Sequence, residues 1–328
     1  MNKQKILVSV AIQLFFWGCS GSKPSVATLG NSQTVESQEK TTEQQSDLAE
    51  TYFGIANVYF EKRNYNQAIE FYKKAAELKP HYAKMYHSIG VAYRYKHDYN
   101  QALEYYEKAL ELTPSDSIRH LAWLYSNIGE IYIHKQNYDK TIKYCKKAME
   151  LDPYFTGAYL NIGVAYRNKQ DYYLAIIFYK TVLELEPYEV DAYLNIGNAY
   201  FYLEDYDLAM EFYKKALKIN PDFGDAYGGM GSVELAKEDY DKAIEYFKKS
   251  IELNPHDAFA YRNAGYAYYK KENYNKTIEY CKRAIELSPN TATPYYYMGE
   301  ALIKKGDKDK GLEYRNKAIE LGYEPQAP

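Results

Sequence analysis

From Ala49 to Pro325, apolar, small and polar residues return in register, with a period of 34 residues. Eight units start at Ala49, Ala83, Ala122, Thr156, Val190, Gly224, Ala258 and Ala292, and position 4 of each is Tyr. Position 8 is Ala56 and then Gly90, Gly129, Gly163, Gly197, Gly231, Gly265 and Gly299, while position 11 is Tyr or Leu except at Glu234. These positions share one face of a helix, which predicts a first helix, A, in every unit. Glycine inside a helix costs about 0.5–1 kcal/mol relative to alanine, so position 8 needs a packing reason, the close approach of a second helix. Position 16 is Asn or Asp throughout, from Asn64 to Asp307. Such residues accept from free amides in a turn or at a helix start and mark the break between A and B. Position 17 is Tyr in the first seven units, positions 20 and 27 are mostly Ala, and position 24 is mostly Tyr or Phe, a second helical stripe. Proline at position 32 stops helix B. The closing prolines, Pro80, Pro114, Pro153, Pro187, Pro221, Pro255 and Pro289, lie 34, 39, 34, 34, 34 and 34 residues apart, so one five-residue insertion near Ser117 to Leu121 interrupts the register.

Small residues at positions 8, 20 and 27 with aromatics at 4, 11, 17 and 24 resemble the tetratricopeptide repeat. The resemblance covers residues 49–325 as eight units: 49–82, 83–116, 122–155, 156–189, 190–223, 224–257, 258–291 and 292–325. It implies an all-α fold, a right-handed superhelical solenoid of eight helical hairpins with helices A lining a concave groove. In the last unit Leu302, Lys308, Gly311 and Arg315 stand at positions 11, 17, 20 and 24, which gives a polar outer helix suited to a cap.

The resemblance also places positions 2, 5, 9, 12 and 13 of helix A in the groove. They carry aromatic, aliphatic and isolated charged groups, a mixture suited to binding protein rather than polyanion. The candidate groove residues are Trp123, Asn127, Asn161, Arg167, Asn195, Asn198, Phe201, Tyr202, Arg262, Asn263 and Tyr266. Asparagine recurs at position 6 as Asn127, Asn161, Asn195 and Asn263, and in the family such amides form a ladder that holds an extended peptide. Unit 6 breaks the series with Gly228-Gly229-Met230-Gly231, which either opens room for a ligand or marks a flexible joint. The clamp by which related domains hold acidic chaperone tails is absent, since Phe53, Asn57, Ser88, Trp123 and Asn127 occupy its positions.

Composition changes this picture little. Lys and Arg number 41 against 44 Asp and Glu, so no basic field favours nucleic acid. The 41 tyrosines fall mostly at fixed repeat positions and are read as structural. No phosphate loop, nucleophile elbow or H-E-x-x-H helix is present, and no catalytic residue, metal site or cofactor is expected. The histidines occupy different repeat positions, and His81 and His87 could meet across a repeat junction. Cys145 and Cys281 share one repeat position four units apart, too distant for a disulfide, and are read as core residues replacing Tyr.

The amino terminus carries a different signal. Lys3 and Lys5 precede an apolar stretch from Ile6 to Trp17, too short to span a bilayer, which takes about 20 residues. With Gly18-Cys19 after it, the segment resembles a bacterial lipoprotein signal peptide, 1–18. That resemblance implies cleavage before Cys19 and its acylation, by palmitate or a similar chain. An uncleaved anchor or a cytoplasmic start is the alternative. Residues 19–48 are expected to be a flexible polar tether with a reach of about 30 Å. The combined expectation is a protein- or peptide-binding adaptor, lipid-anchored in the bacterial cell envelope, at the outer membrane in preference to the inner. A self-assembling solenoid and a glycan- or peptidoglycan-binding protein are the rivals.

Overall fold

The computed structural model describes residues 32–324, in which sixteen α-helices follow one another without a strand. They are α1 Ser32–Glu61, α2 Tyr65–Leu78, α3 Ala83–Tyr95, α4 Tyr99–Leu112, α5 Ile118–His134, α6 Tyr138–Leu151, α7 Thr156–Asn168 and α8 Tyr172–Leu185. There follow α9 Val190–Tyr202, α10 Tyr206–Ile219, α11 Gly224–Ala236, α12 Tyr240–Leu253, α13 Ala258–Lys270, α14 Tyr274–Leu287, α15 Ala292–Lys304 and α16 Lys308–Glu320. Odd-numbered helices are the A helices and even-numbered ones the B helices. Each helix packs on the next, and from α5 onward each A helix also touches the A helix of the following unit. The array is an all-α superhelical solenoid. No described helix is long and apolar enough to cross a membrane.

One joint is repeated eight times. Position 15 takes φ between 54° and 63° in seven units, and Gly306 takes the left-handed conformation in the eighth. The amide of position 16 then returns to the carbonyl of position 11, as from Asp205 to Tyr200 at 2.9 Å. The side chain of the same residue accepts from the amide three residues on, as Asp205 does from Leu208 at 3.1 Å. All eight units share this cap. Position 16 therefore closes helix A with its backbone and opens helix B with its side chain, which explains its restriction to Asn and Asp.

Within each hairpin, position 24 lies against position 8. A Cβ on Gly90 would come within 2.6 Å of the Tyr106 ring, and one on Gly231 within 2.7 Å of Phe247. Cys145 and Cys281 take the same place against Gly129 and Gly265. Both thiols are free and buried, and burial pushes each up to about 12. Where position 9 is Asn, the tyrosine at 24 finds a partner: Tyr72 donates to Asn57 at 2.6 Å and Tyr213 to Asn198 at 2.8 Å. Where it is Val91 or Val164, the buried hydroxyls of Tyr106 and Tyr179 have none among the described residues.

Units are also tied along their edge. Lysine at position 14 donates to position 18 of the preceding unit, as Lys135 to Asn100 at 2.8 Å, Lys169 to Asp139 at 2.7 Å and Lys237 to Asp207 at 2.9 Å. Lys271 with Asp241 and Lys305 with Asn275 repeat the pattern. Between units 4 and 5 those positions are Tyr173 and Leu203 instead, and Tyr173 is 71% exposed.

One feature differs from the sequence reading and two go beyond it. Residues 32–48, assigned to a flexible tether, are helical and continue into the packed part of α1. Once a helix is nucleated, each further residue adds a hydrogen bond, so this polar extension needs no core of its own. The insertion before unit 3 becomes a helical turn, because Ile118 to Leu121 contains no helix breaker; α5 has 17 residues where α3 and α7 have 13. At the far end α16 buries only Gly311 and Ala318, and Tyr323 folds back to stack on Tyr296 at 4.2 Å, giving the last unit a cover of its own. The signal segment 1–18 and Cys19 lie outside the described residues.

Candidate ligand-binding groove

The A helices of units 4 to 7, with Tyr172 and Tyr213 from B helices, line an open hollow of about 940 Å³. It exists because unit 6 places small residues, Gly228, Gly229, Ser232 and Ala236, where its neighbours carry large ones. Leu194, Phe201 and Tyr202 of α9 form one wall, and Phe259, Asn263 and Tyr266 of α13 the other. α11 runs unbroken through both glycines, so they leave space on its groove face without interrupting the helix.

The two glycines have different reasons. A Cβ on Gly229 would lie 2.5, 2.7 and 3.0 Å from three atoms of the Tyr213 ring. That ring rises from α10 between Gly197 of α9 and Gly229 of α11, reaching the hollow where its hydroxyl is held by Asn198. Burial pushes this hydroxyl up, as does the neighbouring Tyr202. A Cβ on Gly228 would meet only Ser250 Oγ at 3.5 Å and Phe259 at 3.9 Å, ordinary contacts.

Charge is unevenly placed around the hollow. At the C-terminal ends of the A helices, Arg167 donates from Nη1 to Oδ1 of Asn195 at 2.8 Å, and Tyr172 stacks on Tyr202 with centroids 5.3 Å apart. At the N-terminal ends stand Asp225 and Asp257. Asp257 caps α13 by accepting from the Phe259 amide at 2.9 Å. Burial raises the Asp225 carboxyl above the usual range, and Asp257 and Asp191 raise it further. Arg262 lies over the Phe259 ring at 5.0 Å; burial lowers its guanidinium, with Asp257 opposing.

Tetratricopeptide repeat models match residues 47–115, 122–155, 156–189, 190–223, 224–257 and 258–291. The chain belongs to the tetratricopeptide repeat family. A Sel1 repeat model matches 292–323, the unit read from sequence as an eighth tetratricopeptide repeat. No significant match was found among curated proteins. Among solved structures, the APC/C hetero-tetramer Cut9-Hcn1 is similar at TM-score 0.63 and 19% identity, over 83% of this chain and 53% of that one, about half its length. A tetratricopeptide repeat protein of Parabacteroides merdae gives TM-score 0.57 and 20% identity over 74% of this chain and 94% of that one. Pseudomonas aeruginosa pilF gives 0.56 and 20% over 63% and 94%. At these identities the likeness is one of fold. Tetratricopeptide repeat proteins are typically non-enzymatic scaffolds that bind protein or peptide.

In this tetratricopeptide repeat protein the sequence-selected residues divide. Arg167, Asn198, Phe201, Tyr202, Asn263 and Tyr266 line the hollow. Asn195 and Arg262 stand behind it, the first holding Arg167 and the second over Phe259. Trp123, Asn127 and Asn161 lie outside it, in units 3 and 4. Nδ2 of Asn127 donates to Nε2 of His87 at 2.9 Å, with the proton assigned to Nδ1 of that ring. Nδ2 of Asn161 donates to the carbonyl and hydroxyl oxygens of Ser126 at 3.2 and 3.1 Å. The position-6 asparagines of units 3 to 5 thus knit neighbouring A helices together.

His87 departs from the sequence reading: the extra turn of α5 brings His120 beside it, with centroids 5.6 Å apart, and Trp123 at 4.0 Å. Burial, then His120 and Arg94, push the His87 imidazole down to about 3. Residues lining the hollow that the candidate list lacks include Asn168, Gln170, Tyr172, Leu194, Tyr213, Asp225, Ser232, Asp257 and Phe259. For Tyr213 the signal was present: Gly229 adds a second glycine facing the same ring.

Proposed function

We propose that this chain is a non-enzymatic scaffold that holds an extended segment of a partner protein in the hollow of units 4 to 7. We further propose that acylated Cys19 anchors it in the bacterial cell envelope, at the outer membrane. The observation that carries the first part is the hollow itself. Aromatic walls give anchors for side chains, while Asn168, Gln170, Asn198, Ser232 and Asn263 offer donors and acceptors to a peptide backbone. The anchor rests on the apolar run from Ile6 to Trp17 followed by Gly18-Cys19. Residues 32–48 then form a helical spacer about 25 Å long, at 1.5 Å per residue, between anchor and array.

Labelling cells with a palmitate analogue tests the anchor: wild type incorporates label, Cys19→Ser does not, and the mature chain starts at acylated Cys19. An unprocessed Met1 without label contradicts it. Crosslinked capture from native membranes tests the scaffold, with Ser232→Leu as a filled-hollow variant. A partner lost in that variant supports the reading; the same partners in both contradict it. Self-assembly is the second reading, favoured by Leu312 and Ile319 exposed on the terminal helix. Sedimentation that changes with concentration would support it, and a constant monomer would end it.

A further inference from the structure

Resting on the peptide-binding reading, we propose that the occupant of the hollow carries a basic side chain, Lys or Arg, seated beside Asp225 with its methylenes along the aromatic walls. Charge complementarity selects this occupant. Asp191, Asp225 and Asp257 form no ion pair among the described residues. Asp257 has Arg262 near it and spends one carboxylate oxygen on its helix cap. Asp225 is exposed at the rim, and the charges that perturb it are the other two carboxylates. Many other acids of the array are also without an ion-pair partner; what sets Asp225 apart is its place at the rim of an aromatic-walled hollow, with two further carboxylates and no described cation near it.

Shape agrees with charge. Gly228 and Ser232 leave the floor open between Leu194 and Phe259, giving an aliphatic stem apolar surface to lie on before its charged end reaches Asp225. Tyrosine and phenylalanine faces around a cation add attraction when water is displaced. Arg167, held by Asn195 at the far rim, supplies the opposite charge and so an orientation: the basic residue sits toward the N-terminal ends of the A helices. An acidic side chain in that seat would face like charge and be rejected.

The test uses the full chain in detergent and a phage-displayed library of linear peptides, followed by fluorescence anisotropy with one selected peptide. The selected peptides are expected to share one Lys or Arg flanked by apolar residues. Affinity is expected to fall about tenfold or more in Asp225→Asn, which keeps the shape of the side chain. Asp225→Lys is expected to accept the same peptide with Glu in place of its basic residue. Gly228→Leu and Ser232→Leu, which fill the hollow, are expected to remove binding while circular dichroism stays unchanged. Peptides blocked by those two variants yet indifferent to Asp225→Asn would overturn the basic-residue proposal and leave the groove reading standing. Peptides that bind the filled variants unchanged, or a selection that yields none, would overturn both.

Discussion

Replacing Gly228 and Gly229 one at a time by alanine separates the two reasons for having glycine in α11. Both changes gain helix propensity, about 1 kcal/mol each. Gly228→Ala meets Ser250 and Phe259 at 3.5 and 3.9 Å and keeps that gain. Gly229→Ala puts a methyl 2.5 to 3.0 Å from the Tyr213 ring, which cannot retreat freely because Gly197 backs it and Asn198 holds its hydroxyl. Overpacking of this kind costs about 1–3 kcal/mol. Because the propensity gain is common to both, the difference between the variants isolates the overpacking, roughly 5- to 150-fold in a local opening constant. A repeat array need not unfold as one unit, so the assay is amide hydrogen exchange of peptides from α11 and α12, not a single melting temperature. Gly228→Ala is expected to slow exchange by about fivefold and Gly229→Ala to leave it unchanged or speed it. Equal shifts in both, or greater protection in Gly229→Ala, would refute the account of Tyr213 as a ring clamped between two glycines.

Other expectations follow from the same geometry. Tyr179→Phe removes a buried hydroxyl without a partner among the described residues and should be neutral or stabilising, whereas Tyr213→Phe breaks its bond to Asn198 and should cost about 1 kcal/mol; urea midpoints in the reverse order would contradict this. The folded chain protonates His87 near 3 while the unfolded chain does so near 6.5, so its contribution to stability is full above 6.5 and declines as pH falls toward 3. The loss is at most about 1.4 kcal/mol per pH unit, and His87→Gln should flatten the acid limb of a stability profile; an unchanged limb would sink the assignment. Cys145 and Cys281 should resist iodoacetamide at pH 8 until the chain is unfolded, because burial keeps their thiols protonated; rapid native labelling would contradict their burial.

The fold was legible because each rule of the repeat has a local cause. Tyr at 4, Gly at 8 and Asn or Asp at 16 announce a packed face, a close approach and a joint, and all three appear where the period puts them. The groove was legible only in part. Position along a helix says which face a residue occupies, but not what the next unit offers it. Asn127, Asn161 and Asn195 look alike in sequence, yet they meet His87, Ser126 and Arg167 respectively, and those neighbours take their amides. Tyr213 sits on the core stripe of helix B and reaches the groove only because unit 6 gives up a side chain at Gly229. The insertion before unit 3 could be counted but not assigned to loop or helix, and so His120 could not be placed beside His87. Asp225 stands at position 2, on the stripe assigned to the groove, and Asp257 ends unit 6 outside that stripe; their meaning comes from the hollow between them and Arg167.

The most direct test of the scaffold reading is site-specific photo-crosslinking in living cells. A photoreactive phenylalanine would be placed at Tyr202 or Tyr266 in the hollow, and at Tyr154 or Tyr188, which are 77% and 79% exposed and do not line it. The account predicts one discrete crosslinked protein from both hollow positions and not from the two exposed tyrosines. The same adducts from all four positions, or adducts from Tyr154 and Tyr188 alone, would contradict it.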